Sequence, residues 1–521
     1  MHQRSNHTHA LADLDEAIRI AQAVVSATPD TSPDWPGRCT NLGIYLSDRS
    51  ERTGNQDDRA AAIGYYQHAL AACDGVTLPA IRRRAATNLG GLFYVQGHYA
   101  EARAVFEQAH AAIQQVASFT QSHAARRQLS QENAQLYAHL VCCCLQLGDT
   151  AAAFTYAAAG KGRAFVDVLA SDRFDLTAVG VDQPELLADI ARVRELRTHI
   201  DTILAHLPTD DEDGRGASTL SAQAPTLALH DLARLEAAHQ ERLQVITSRY
   251  PQLTATAHVP DLQPPAAVAL AAALDATLVE FFQHTQGWCA FVITAAGVQH
   301  VALPDLTETV LDQVQRWIDG FSSPWKYCYH DYARSQLADL HTAIFASLAA
   351  HLPCGGRVVL APAGALHQVP LGAAYDQDDK RYACDSYLLS LAPSVGALAV
   401  AHAAQQQQRE RPPTTPTTPT PTTSPGAPGQ ALVVMHPGDQ HRADYLAVLQ
   451  PAAAQIATCF AHSYELYEQA ALPGRVIREA SDCVVLHFFC HGTHNSNNAL
   501  ASGLYLEQGM LSVACSRCSR C

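Results

Sequence analysis

Near its C-terminal end the chain reads Asp482-Cys-Val-Val-Leu-His-Phe-Phe-Cys-His-Gly-Thr-His494. Val484, Val485, Leu486, Phe488 and Phe489 make a short apolar run rich in β-formers. It is long enough for one buried strand of a parallel sheet and too short for a core helix. The run stops at Cys490-His491-Gly492, and the chain is polar from there to Asn498. A histidine at the carboxyl end of such a strand stands where open α/β sheets place their chemistry. A glycine behind it allows a tight turn and leaves its N–H accessible as an oxyanion donor.

Two other readings of the same residues stay open. His491 fits equally a strand-end side chain bonded to a loop carbonyl. His487, His491 and His494 also resemble metal-ligand spacing. On a strand, however, His487 and His491 stand ~13 Å apart at ~3.3 Å per residue, too far to share one ion. No metal and no cofactor are therefore expected.

At 521 residues the chain exceeds one ordinary core, so two or three domains are expected. The hydrophobic share of 48% is that of a globular protein. Lys+Arg 35 against Asp+Glu 50 gives −15, which argues against a nucleic-acid or anionic-membrane binder. The N-terminus lacks the apolar core of a signal peptide. No uncharged apolar run is long enough for a membrane span. The 15 cysteines are scattered, with Cys142-Cys143-Cys144 inside a helical pattern, which fits a reducing cytoplasm better than a disulfide framework.

From residue 10 to 170 the pattern is helix after helix, and it repeats. Asn41-Leu42-Gly43 recurs as Asn88-Leu89-Gly90, and Gly97-His-Tyr99-Ala-Glu-Ala102 leads on to Phe106 and Ala109. Ala61 to Leu70 supplies the matching second helix of the earlier copy. Gly148, Ala153 and Tyr156 mark a fainter third copy. The pattern resembles the tetratricopeptide repeat, in which small residues sit where paired helices touch and aromatic residues fill the gaps. Such a solenoid implies docking of protein partners rather than chemistry.

Residues 171–262 read as a helical spacer, a charged hairpin around a flexible 208–224 loop. From 266 to 521 strands alternate with helices, which implies a largely parallel, three-layer α/β domain. Residues 405–430, a glutamine run passing into repeated Pro-Thr, read as a disordered insertion inside it.

The repeats, Leu360-Ala-Pro-Ala-Gly-Ala-Leu-His-Gln-Val-Pro370, Leu391-Ala-Pro-Ser394 and Val485-Leu-His-Phe-Phe-Cys-His-Gly492 together resemble the CHAT family of caspase-like domains attached to tetratricopeptide repeats. The resemblance implies a caspase-like fold and a bacterial cysteine endopeptidase acting on protein or peptide substrates. It gives the dyad histidine as His491 and an oxyanion donor as the Gly492 backbone. The family nucleophile ends the next core strand, in a segment like Ser-Ala-Cys-x-Thr. Here Ala514-Cys515 imitates that dipeptide without an apolar strand before it, and the chain runs out as Cys515-Ser-Arg-Cys518-Ser-Arg-Cys521. Cys515 is thus the candidate nucleophile, with a C-terminally truncated or frameshifted domain and an inactive chain as the expectation. The alternative is a non-catalytic scaffold for protein–protein interaction.

Overall fold

The computed structural model describes residues 11–73, 78–119, 132–161, 261–319, 330–410, 430–438, 449–460, 462–480, 485–493 and 503–512, with a few isolated positions besides. Nearly all of the expected spacer and the whole Cys515–Cys521 tail lie outside the described residues. The chain forms two compact units, Met1–Pro412 and Pro413–Cys521.

The first unit opens with helices α1 (Leu11–Ser26), α2 (Trp35–Thr53), α3 (Gln56–Ala72), α4 (Pro79–Val95), α5 (Tyr99–Phe119), α6 (Ala134–Gln146) and α7 (Thr150–Gly160). They pack as the pairs α2/α3, α4/α5 and α6/α7. Gly54, Gly97 and Gly148 end the first helix of each pair with φ of 73°, 75° and 74°, a left-handed bend that glycine adopts without Cβ strain. Asn55 and Asp149 then cap the second helices of the first and third pairs, accepting from the Asp57 and Ala152 N–H groups at 2.9 Å.

Inside each pair a small residue meets a ring. A Cβ on Gly43 would lie 2.7 Å from Tyr66, and one on Gly90 would lie 2.6 Å from Phe106. Ala62, Ala69, Ala102 and Ala109 are fully buried beside those rings. Replacing Ala102 with Leu should overpack the α4/α5 pair and cost about 1–3 kcal/mol. A urea midpoint unchanged by A102L would count against this packing.

Helix α8 (Pro264–Leu274) leads into a meander of β1 (Thr277–His284), β2 (Gly287–Thr294) and β3 (Gly297–Leu303). After α9 (Glu308–Asp319) and α10 (His330–Leu348) come β4 (Arg357–Ala361), a small hairpin of β5 (Tyr375–Asp376) and β6 (Arg381–Tyr382), and β7 (Leu388–Leu391). Helix α11 (Val395–Glu410) ends the unit's described residues. The sheet order is β3-β2-β1-β4-β7. The β1–β2–β3 pairs are antiparallel, and only β1, β4 and β7 run parallel. The runs at 277–282, 288–294 and 298–303 thus form the meander that their sequence suggests, joined by two tight hairpins with no helix between them, and the largely parallel expectation holds in this unit only for β1, β4 and β7.

Alternation along β1 sends its side chains to two cores. Val279 and Phe281 pack with α9 and α10, in one core with Leu311, Leu340 and Phe345. Leu278 and Phe282 pack on the other face, in one core with Leu140, Phe154 and Leu270 of the repeat helices and α8. One outer layer of the sheet is thus supplied by the helical repeats themselves. The repeat helices and this sheet accordingly lie in one compact unit, Met1–Pro412.

The helix α11 also runs through Gln405–Glu410. The expected insertion therefore begins later than residue 405, since alanine and glutamine favour helix. Residues 411–429 lie outside the described residues.

The second unit contains β8 (Gln430–His436), α12 (Leu449–Ala457), β9 (His462–Tyr467), α13 (Pro473–Ala480) and β10 (Val485–Cys490). Its three-stranded parallel sheet has the order β10-β8-β9. The short β11 (Gly492–Thr493), β12 (Gly503–Leu506) and β13 (Gly509–Ser512) form an antiparallel sheet. Here the parallel expectation holds, with the fully buried run Ala431–Met435 of β8 at the centre.

Candidate functional site

The stretch around His491 is a strand of the parallel sheet, as its residues predict, but it is not the buried one. Among the described residues β10 pairs only with β8, and Val485 and Leu486 are 36% and 46% exposed. The buried central strand is β8, whose apolar run is the more continuous of the two.

Alternation along β10 separates its polar groups. Phe488 and Cys490 pack into the core formed by Leu432, Val434, Leu466, Val476 and Leu506. Phe489 packs into the opposite core, with Val433, Met435 and Ala453. The His487 and Phe489 rings lie 4.4 Å apart on that second face. Carrying the alternation one residue on puts His491 on the Phe489 face, away from Cys490.

Gly492 does not make the expected tight turn. The backbone stays extended and enters β11, where Gly492 pairs with Leu504. The Tyr505 N–H donates to the His491 carbonyl at 2.8 Å. In an antiparallel ladder that bond makes Gly492–Leu504 a non-hydrogen-bonded pair, so the Gly492 N–H points away from β12. The glycine also stands clear of steric need, because a Cβ there would meet Leu504 at an ordinary 3.5 Å.

Cys515, the candidate nucleophile that the family resemblance offers, lies outside the described residues, as does His494. The described thiols of this unit are Cys459, Cys483 and Cys490. Burial pushes the Cys490 thiol above its ordinary value. Among the described residues no group of three His, Cys, Asp or Glu side chains could hold a metal ion. No described helix is long and apolar enough to cross a membrane.

Two polar clusters escaped the reading of the sequence. In the first unit, Glu280 is fully buried in β1 and forms an ion pair with Lys161, just past α7. The Lys161 ammonium also donates to the Phe281 carbonyl at 3.2 Å and the Ala361 carbonyl at 2.5 Å. The second Glu280 oxygen accepts from the Val395 N–H at 2.6 Å, at the start of α11. The buried Ser394 caps that helix by accepting from the Ala397 N–H at 3.1 Å. Burial and the nearby Lys161 charge both push the His367 imidazole down.

The two motifs ending in Pro370 and Ser394 therefore follow neighbouring parallel strands and converge on one buried charge pair. A helix N-terminus is a ready acceptor of negative charge, and here the chain fills it with its own carboxylate. A single glutamate inside an apolar strand, Leu278-Val-Glu-Phe-Phe282, was the available signal. In the second unit, His436 at the end of β8 meets Glu507, with Nε2 and Oε2 3.3 Å apart.

No curated protein matches the chain. Residues 334–514 match the family model of the CHAT domain. That span begins in α10 and includes both convergent motifs, His491 and the β12–β13 hairpin. Over residues 334–514, then, the chain carries a CHAT domain.

Proposed function

We propose that this chain is a CHAT-type cysteine endopeptidase, cytoplasmic and bacterial, whose tetratricopeptide-like helices dock protein partners. The caspase-like half would act on protein or peptide substrates. The observation that carries the reading is His491 at the carboxyl end of β10, followed by a Gly492 N–H turned out of its ladder. In such a site a thiolate attacks the peptide carbonyl, the amide N–H holds the developing oxyanion, and the imidazole protonates the leaving amine. His491 is the proton carrier and Cys515 the family-style nucleophile.

The second reading, a non-catalytic scaffold, is favoured by one feature. Cys490, adjacent to the histidine, faces the opposite core. Poor turnover by the chain alone is therefore expected.

Cleavage of a broad peptide library by the purified chain, beside His491→Ala and Cys515→Ala, separates the two readings. Weak cleavage abolished by both substitutions supports the peptidase. Cleavage that survives His491→Ala removes it from the chemistry, and no cleavage at any enzyme concentration leaves the scaffold.

A further inference from the structure

On the face of the second unit's sheet away from His491 lies a separate set of reactive groups. Cys490 and His436 are register partners on adjacent parallel strands. Both point to the same side. Cys490 packs with Leu432 and Val434 of β8, and His436 follows those two at the same alternation. Strands spaced by ~4.8 Å put such partners side by side.

Glu507 follows β12, next to Leu506, which is buried in that same core. Its backbone N–H is fixed by the Ala471 carbonyl at 3.1 Å, and its carboxylate meets the His436 Nε2 at 3.3 Å. A carboxylate only accepts, so the Nε2 carries the hydrogen, and in the neutral imidazole the Nδ1 then holds a bare lone pair. That Nδ1 is buried and has no hydrogen-bond partner among the described residues. An unsatisfied buried acceptor is costly, and a thiol one strand away is the donor that could relieve it.

A thiol, a base and a carboxylate that fixes the base's tautomer are the three parts of an activated nucleophile. We propose that Cys490, His436 and Glu507 form a thiol-exchange site that takes small disulfides. His436 Nδ1 accepts the Cys490 thiol proton, and the Cys490 sulfur bonds to one sulfur of the incoming disulfide. The disulfide's S–S bond breaks, and the departing thiolate recovers the proton from His436. The products are a mixed disulfide on Cys490 and one free small thiol. Cys490 is half-buried in a core it shares with Leu506 and Leu511 of the β12–β13 hairpin, which suits a small electrophile rather than a polypeptide. This site is independent of the peptidase reading, since it uses neither His491 nor Cys515.

The purified 521-residue chain is to be reacted with dithiobis(nitrobenzoate), and labelling at each cysteine followed by peptide-resolved mass spectrometry. Cys354, Cys384 and Cys459 are exposed and serve as internal references. Unassisted, a half-buried thiol should react more slowly than all three. The site predicts the reverse order, with Cys490 labelled first. His436→Gln should slow Cys490 about 100-fold or more, the low side of general-base assistance, and leave Cys354 unchanged. Glu507→Gln, which retains a hydrogen-bonding side chain, should slow it less. Cys490 labelled last in the wild type, or at an unchanged rate in both variants with the reference rates preserved, would overturn the proposal.

Discussion

Lys161→Met should destabilise the first unit by about 3–5 kcal/mol, because it leaves the Glu280 carboxylate charged, buried and without its cation. The lysine now serves three acceptors at once, the Glu280 carboxylate and the Phe281 and Ala361 carbonyls. Glu280→Leu should cost a similar amount by stranding the ammonium. The double variant K161M/E280L removes both charges and should regain most of the loss. Recovery should fall short of complete, since the Val395 N–H then loses its acceptor. Urea midpoints of the four proteins give the coupling directly, and additive losses would show that the two groups act independently.

The same pair sets a pH dependence. Burial outweighs the attraction of Glu280 and holds the Lys161 ammonium below its ordinary 10.5. Between that lowered value and 10.5 the unfolded chain binds more protons than the folded one. Stability therefore rises with pH across that window and is flat below it. Lys161→Met should abolish this rise. A persisting slope in the variant would assign it to another group.

This pair also shows where the sequence fell silent. The repeat helices were legible because Gly43, Gly90 and the alanines recur at fixed spacing, and each spacing maps onto a helix contact. The strands were legible from their apolar runs. That the helices and the sheet share a core was not, because Lys161 and Glu280 are far apart in sequence and each resembles an ordinary charged residue. The exposure of β10 was missed for a related reason. Its run Val485–Phe489 is as apolar as a central strand, and only pairing, a long-range property, decides which strand lies at the edge. His491 was singled out because a strand-end His-Gly is a local pattern. His436 was passed over because its partner, Glu507, comes from a distant hairpin.

The largest packing effect is expected between Gly90 and Phe106. Phe106→Ala empties a fully buried ring position and should cost about 3–5 kcal/mol. Gly90→Val drives a side chain into the space of that ring, where a Cβ alone would stand 2.6 Å from it. Overpacking of this kind should cost about 1–3 kcal/mol. The third helix pair shows how the two changes relate. Counted from Gly148 as Gly90 and Phe106 are counted from Gly97, the equivalent residues are Val141 and Ala157, and both are fully buried. Gly160 closes that pair instead, against the ring of Tyr137, where a Cβ would lie 2.7 Å away. The repeat thus exchanges Gly with Phe for Val with Ala while keeping its core filled. The variant G90V/F106A copies that exchange into the α4/α5 pair. It should be more stable than the sum of the single losses predicts, by about 0.5–3 kcal/mol of favourable coupling. Denaturation midpoints of both single variants and the double measure this coupling. Strict additivity would mean that the two positions do not share one packing site.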